Sequence, residues 1–201
     1  MLTVACVLRS GGAFTQDWVV RLRHQVARHL QAPHRFVCLT DMAVPCDSVP
    51  LKNGWPGWWS KLELWRPGTF EGRVLYFDLD TLITGNITPL AGYRNDLATL
   101  TDFFSPRIAA TGVLAWDARK TDNIWARIQS GPPEFKGRSD LYLDLKGDRL
   151  QDIFPGTFGS YKAHELEAGP ADYSVVCFHG YPKFTDLAPG TWARDYWEAA
   201  S

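Results

Sequence analysis

Arg73-Val74-Leu75-Tyr76-Phe77-Asp78-Leu79-Asp80 decides the fold class of this chain. The stretch is apolar without a break from Val74 to Phe77, as a central strand covered on both faces requires. Two carboxylates then follow at a spacing of two. In an extended chain such side chains point to one side, so Asp78 and Asp80 can face a common point while Leu79 packs the other way. Carboxylates that close repel each other unless positive charge joins them, and a divalent cation does so through hard oxygen ligands. The end of an apolar strand is also where α/β sheets place their ligands. The plainer alternative is an aspartate that opens a turn beside a solvated neighbour.

Working outward, residues 2–8 read as a buried strand ended by the loop Arg9-Ser10-Gly11-Gly12. A helix over 16–30 follows, with Trp18, Leu22, Val26 and Leu30 on one stripe and Thr15 at the N-cap. Residues 36–39 form a second short strand closed by Thr40-Asp41, and 44–57 a loop with Pro and Gly. The segment WWSKLELW (58–65) predicts a short helix that must end before Pro67. Beyond Asp80, strands are expected over 108–116 and 173–178, and helices over 121–129, 140–146 and 191–200. Strand-helix-strand alternation at the front predicts a parallel α/β sheet. No repeat or linker divides residues 1–201, so one domain is expected.

Composition narrows the function. With 21 basic and 22 acidic side chains the chain has no broad electrostatic grip on nucleic acid or anionic membrane. The scattered cysteines Cys6, Cys38, Cys46 and Cys177 lack zinc-ligand spacing and read as free thiols of a reducing compartment. No apolar stretch approaches the roughly 20 residues of a membrane helix, and the N-terminus lacks a signal peptide's basic lead. A cytoplasmic protein is expected. Nine tryptophans are many for 201 residues, and they serve cores and stacking sites alike.

Other segments carry chemistry. In VVCFHGYPKF a strand breaks at Gly180 and Pro182, with His179 and Lys183 beside the break. A neutral imidazole can ligate a transition metal, and lysine meets a diphosphate as a compact charge. Either residue alone also suits an ordinary loop. Lys61, among Trp58, Trp59, Leu62 and Trp65, has the context of a lysine snorkelling at a surface. Arg9 and Ser10 precede two glycines, where backbone can approach a nucleotide closely.

Taken in order, SKLELW, VLYFDLDTLI, ATGVLAW and FHGYPK resemble the landmarks of glycosyltransferase family 8, which includes glycogenin and bacterial lipopolysaccharide galactosyltransferases. The resemblance runs from residue 3 to residue 185. It implies a single-domain, Rossmann-like GT-A fold with a mixed, mainly parallel central sheet. It also implies Mn2+-dependent transfer of a sugar from a nucleotide diphosphate, commonly UDP, with retention of configuration. Position by position, Asp78 and Asp80 match the metal-binding carboxylates and Lys61 the lysine that reaches the donor sugar and phosphate. Thr111 and Gly112 match the small pair lining the sugar pocket, and Gly180 and Lys183 the pair that contacts the diphosphate. Arg9, Ser10 and Asp41 fall near the nucleoside-binding segments.

The sequence departs from that pattern at three places. Cys177 stands where the family's metal-binding histidine is expected, so His179 is the substitute ligand to Asp78 and Asp80. Phe184-Thr185 replaces a Pro-Trp pair after Lys183. The family's Asp-Gln segment beside the reacting carbon is represented by GRSDLYL, with Asp140 as the candidate and Ser139 near the glutamine position. A histidine among oxygen donors favours Mn2+ over Mg2+. In this scheme Lys183 assists departure of the diphosphate and Asp140 positions the sugar or steadies an oxocarbenium ion. The acceptor is a saccharide, lipid or protein. FDLDTLI also resembles the nucleophile strand of haloacid-dehalogenase-type phosphatases, with Asp78 as nucleophile, Asp80 as general acid/base, and GDRLQD (147–152) as the acidic motif. A third class is a nucleotide-sugar-binding module without catalysis.

Overall fold

Strand β1 (Leu2–Leu8) is apolar on both faces, and both of its neighbours lie parallel to it. In the computed structural model, which describes residues 1–200, the chain leaves β1 for helix α1 (Gln16–His29). It returns as β2 (His34–Thr40) and adds a short edge strand, β3 (Asp47–Pro50). Strand β4 (Arg73–Phe77) then pairs with the opposite edge of β1. Winding therefore reverses between β1 and β4, and the crevice beyond their carboxyl ends is where open α/β sheets hold ligands.

The remaining elements are β5 (Thr81–Ile83), β6 (Leu97–Thr101), β7 (Ala109–Asp117), α2 (Asp122–Ile128) and α3 (Ser139–Leu143). They continue as β8 (Asp148–Arg149), α4 (Leu150–Ile153), β9 (Phe158–Ser160), β10 (Val175–Cys177) and α5 (Trp192–Glu198). Seven strands form the main sheet in the order β3-β2-β1-β4-β7-β6-β8. Only β7 runs against its neighbours β4 and β6, so the sheet is mixed and mainly parallel. A second sheet has the order β5-β10-β9.

Alternating side chains divide the apolar residues into two cores. Val4, Cys6 and Leu8 of β1 and Leu75 and Phe77 of β4 face the first core. There they meet the α1 stripe of Trp18, Leu22, Val26 and Leu30, together with Leu82, Phe158 and Val176 of the small sheet. Ala5, Val74 and Tyr76 face the second core, built from Trp55, Trp59, Trp65 and Trp116. Five of the nine tryptophans are thus core residues; Trp58, at 64% exposure, is the outward-facing one. Thr15 is the N-cap of α1, but its hydroxyl makes no capping bond.

Several boundaries differ from the sequence reading, each for a local reason. The loop 44–57 contains β3, an edge strand recruited by pairing with β2. Residues Gly57–Trp65 are a 3-10 helix rather than an α-helix. Trp59, Leu62 and Trp65 recur every three residues, the period that a 3-10 helix stacks on one side. Strand β4 stops at Phe77, because Asp78, Leu79 and Asp80 turn the chain toward β5 through a bond from the Thr81 amide to the Asp78 carbonyl (3.2 Å). Helix α3 ends early, where Asp144 takes a left-handed conformation (φ 39°). The very short elements β5, β8, β9 and α4, and the five-residue β6, carry too little periodicity to be read from sequence. Among the described residues no helix is long and apolar enough to cross a membrane.

The 3-10 helix is fixed to the preceding loop by a fully buried carboxylate. Glu63 accepts from the Lys52 amide (2.8 Å), the Asn53 amide (2.9 Å) and the Arg66 guanidinium. Removing it leaves three donors without their acceptor around a carboxylate site that is itself fully buried. Glu63→Ala should lower the unfolding free energy by about 3–5 kcal/mol in urea titrations. Lys136→Ala, which breaks only an exposed pair with Glu134 (2.8 Å), should change it by under about 0.5 kcal/mol. Equal effects of the two substitutions would show that the loop is not held by Glu63.

Candidate active site

The carboxyl ends of β1, β2 and β4 meet the start of β7 at one edge of the main sheet. The Asp78 amide donates to the Gly112 carbonyl at 2.8 Å, which sets Thr111 and Gly112 against the aspartate. A Cβ on Gly112 would lie 3.7 Å from Asp78 Oδ2, an ordinary contact, so this glycine faces the carboxylate without steric need. The small sheet brings its own residues to the same edge. Thr81, Cys177 and Ser160 are register partners across β5, β10 and β9, so Asp80, Phe178 and Tyr161 emerge side by side. The Phe178 amide closes this junction on the Asp80 carbonyl at 2.9 Å.

Lys61 is not a surface lysine: it is 8% exposed. The 3-10 helix points its ammonium at Asp78 (Oδ1 2.6 Å, Oδ2 2.8 Å) and at the Thr111 hydroxyl (3.2 Å) and carbonyl (3.3 Å). Tyr76, two residues before Asp78, donates its hydroxyl to the same carboxylate. On the far side of Thr111, Asp140 accepts from the Thr111 amide (3.1 Å) and hydroxyl. Arg138 joins Asp140 (3.0 Å) to Asp102 (2.5 Å). One line of alternating charges therefore runs Asp102, Arg138, Asp140, Thr111, Lys61, Asp78. Ser139 is buried at the start of α3 and takes no part in it.

Asp80 faces the break after β10. Lys183 gives its ammonium to Asp80 and to the Phe178 carbonyl (2.8 Å). Its position is set by Phe184, fully buried and stacked on Trp18 with ring centroids 4.6 Å apart. This is what the Phe184-Thr185 departure does: it anchors the Lys183 loop in the first core. Gly180 has φ +68°, a left-handed conformation that side-chain-bearing residues avoid. His179 turns Nε2 to the Ser160 hydroxyl (2.7 Å) and stacks on Phe103 (6.0 Å, 10°). Burial and the Lys162 charge lower its pKa, which favours the neutral ring. Cys177 is buried in the first core.

A third group lies at the ends of β1 and β2. Asp41 accepts from the Ser10 amide (2.8 Å) and hydroxyl (2.5 Å) and from Arg9 (2.5 Å). Burial opposes ionisation of Asp41, but Ser10 and Arg9 together hold its pKa below the usual range. Parallel pairing of Leu8 with Thr40 makes these three residues neighbours, although 31 residues separate Ser10 from Asp41.

Burial pushes Asp78 up to about 6; Lys61 opposes the rise and the Asp80 charge adds to it. Burial would lower Lys61, yet Asp78, Asp140 and Asp80 hold its pKa above the ordinary lysine value. The two carboxylates oppose each other's charge, and hard oxygen donors in that relation are the kind that Mn2+ or Mg2+ accepts. Asp78 and Asp80 are the residues that would hold a divalent cation; in this arrangement each is bonded to a lysine. No group of three or more His, Cys, Asp or Glu side chains among the described residues is arranged to hold a metal ion. In this arrangement His179 is committed to Ser160 and does not stand with the two carboxylates as a third ligand.

The acidic motif of the phosphatase alternative lies elsewhere. Asp148 pairs with Ala98 of β6, three strands from β4, and its carboxylate accepts from Tyr93 (3.0 Å) and Asn95 (2.8 Å). It has no access to Asp78, so the GDRLQD match is coincidental. Sequence reasoning missed Tyr76 and Arg138. Tyr76 had a signal, since it shares the strand face of Asp78 at a spacing of two. Arg138 sits in an irregular segment whose direction only tertiary packing sets.

No protein-family model and no curated protein sequence matches the chain. Solved structures do match it. The galactosyltransferase LgtC, in complex with donor and acceptor sugar analogs, superposes with a TM-score of 0.65 at 16% identity over 98% of this chain and 95% of that one. The glycosyltransferase GlyE of Streptococcus pneumoniae TIGR4 gives 0.66 at 16%, over 98% of this chain and 59% of GlyE. WbbM, a bifunctional glycosyltransferase in its apo form, gives 0.68 at 10%, over all of this chain and 49% of WbbM. Along nearly its whole length, the chain has the GT-A fold of these glycosyltransferases.

Proposed function

We propose that the chain is a glycosyltransferase that moves a sugar from a UDP-linked donor to an acceptor, with retention of configuration. One observation carries this reading: Asp78 and Asp80, each paired with its own lysine, share an edge with the Arg9-Ser10-Asp41 cluster at the switch between β1 and β4. The first group suits a diphosphate and its metal, and the second a nucleoside. A saccharide acceptor is supported by LgtC, which is similar in fold and binds donor and acceptor sugar analogs.

Breaking a sugar-phosphate bond leaves negative charge on the departing diphosphate. A divalent ion held by Asp78 and Asp80, Mn2+ or Mg2+, supplies Lewis-acid stabilisation of that charge when bound. Lys183 adds a preorganised ammonium on the Asp80 side, and the side-chain-free Gly180 lets phosphate approach the backbone. Lys61 contacts the donor from the opposite side, in a pocket bounded by Thr111 and Gly112. Asp140, oriented by Thr111 and Arg138, presents a carboxylate to the positive charge that develops at the sugar carbon. Asp41 stands where α/β sheets receive a ribose hydroxyl.

Release of free UDP from a panel of nucleotide sugars with Mn2+ tests the activity directly. Calorimetry should show UDP binding far more tightly with Mn2+ than with EDTA, and Asp80→Ala should lose the difference while its circular dichroism is unchanged. Equal affinity in both buffers removes the metal bridge. An aspartyl-phosphate on Asp78 would restore the phosphatase, and donor binding without turnover on any acceptor points to a binding module.

Lys183→Ala should lower turnover at saturating donor by roughly a hundred- to thousandfold, equivalent to about 2.7–4 kcal/mol of barrier, with a smaller loss of donor affinity. Lys120→Ala, at an exposed pair with Asp96 (2.5 Å), is the control. Near-normal turnover of Lys183→Ala would leave that lysine as a strut for Asp80 only.

A further inference from the structure

We propose that Lys162 is a second binding residue for the donor's diphosphate, an inference that rests on the nucleotide-sugar reading above. The residue belongs to none of the motifs in the sequence; the small sheet delivers it. Strand β9 runs parallel to β10, and Ser160 is level with Cys177. The two chains therefore leave the sheet at the same edge, one toward Lys162 and the other toward Gly180 and Lys183. The Tyr161 amide, bonded to the Cys177 carbonyl at 3.1 Å, keeps them together past the last strand pair.

Lys162 places its ammonium on the Tyr181 carbonyl (3.0 Å), directly over the Gly180 backbone. A Cβ built on Gly180 would come within 3.1 Å of Lys162 Nζ, closer than such contacts normally are. The missing side chain at 180 thus serves twice: it permits φ +68° and it leaves room for the ammonium.

Charge balance shows what the ammonium is for. The other cations of the site are each matched to a carboxylate: Arg9 to Asp41, Lys61 to Asp78, Lys183 to Asp80, and Arg138 to Asp102 and Asp140. Lys162 forms no ion pair among the described residues. Burial and the Lys183 ammonium both act against its charge, and Asp80 only partly offsets them. Two ammonium groups within electrostatic reach of one carboxylate leave a local excess of positive charge beside a glycine turn. An anion with several oxygens relieves it, and a nucleoside diphosphate has the charge and the length to meet both lysines. Lys183 is already engaged by Asp80, so Lys162 is the cation with bonding capacity to spare.

The test is calorimetric titration of UDP, and separately of inorganic pyrophosphate, both with Mn2+ present, into the unaltered chain, Lys162→Met, Lys162→Arg and the distant control Lys120→Met. Thermal unfolding of each variant checks that the fold is kept. Lys162→Met should bind both probes about tenfold to a hundredfold more weakly, the usual effect of losing a hydrogen bond to a charged group. Lys162→Arg should recover most of the affinity, and Lys120→Met should match the unaltered chain. If Lys162→Met binds both probes within twofold of the unaltered chain, the assignment is wrong while the proposed function stands. Pyrophosphate binding that depends on Lys162, with no preference for UDP, would keep the assignment and overturn the nucleotide donor. Failure of the unaltered chain to bind either probe overturns both.

Discussion

The ion pair between Lys61 and Asp78 is the interaction around which the site is built. A lysine this buried keeps its charge only if a carboxylate and further acceptors surround it, since desolvation of an isolated ammonium costs several kcal/mol. Asp78 and Thr111 provide those acceptors, and they come from the turn after β4 and from β7. The pair thereby ties the 3-10 helix to the end of the main sheet. Because Thr111 also donates to Asp140, the same contact reaches α3 and, through Arg138, the loop that holds Asp102. Displacement of Asp78 would leave the buried Lys61 ammonium without its counter-charge.

Such a cluster needs a stiff support, and the tryptophans of the second core provide it. Trp59, Leu62 and Trp65 press the 3-10 helix against Trp116 and Tyr76, with Trp65 and Trp116 ring centroids 4.9 Å apart. Tyr76 is both packing and chemistry: its ring belongs to this core and its hydroxyl reaches Asp78. Glu63 fixes the other end of the helix to the preceding loop. The abundance of tryptophan is thus explained mainly by the platform beneath the site.

The second sheet solves a different problem. Chain that turns out of β4 at Asp78 cannot continue the main sheet, so it pairs instead with β10 as the antiparallel strand β5. This places Asp80 opposite the glycine turn and Lys183, which comes 103 residues further along the chain. The first core, shared by both sheets, holds the two groups in register. Two lysine-carboxylate pairs, one from each side, then face each other across the edge of the sheet.

By itself, the sequence determined what local pattern controls. The apolar run before Asp78, the stripe Trp18-Leu22-Val26-Leu30 and the strand-helix-strand order fix a parallel α/β core, since burial at periods of two and 3.6 leaves few other solutions. It also singled out Asp78 and Asp80 by their spacing and Lys183 by the strand break beside it, and Lys61 only through the family resemblance. It misjudged what long-range pairing controls. Asp78 and Asp80 lie on a turn rather than an extended strand, because the amides of Asp78 and Thr81 are claimed by Gly112 and by the turn itself. Lys61, surrounded by tryptophans in sequence, is buried rather than snorkelling, because its acceptors come 17 and 50 residues later. His179 faces Ser160, and Lys162 enters the site, only because β9 pairs with β10. Charge partners brought together by sheet register have no fixed spacing along the chain, so only the tertiary structure could assign them.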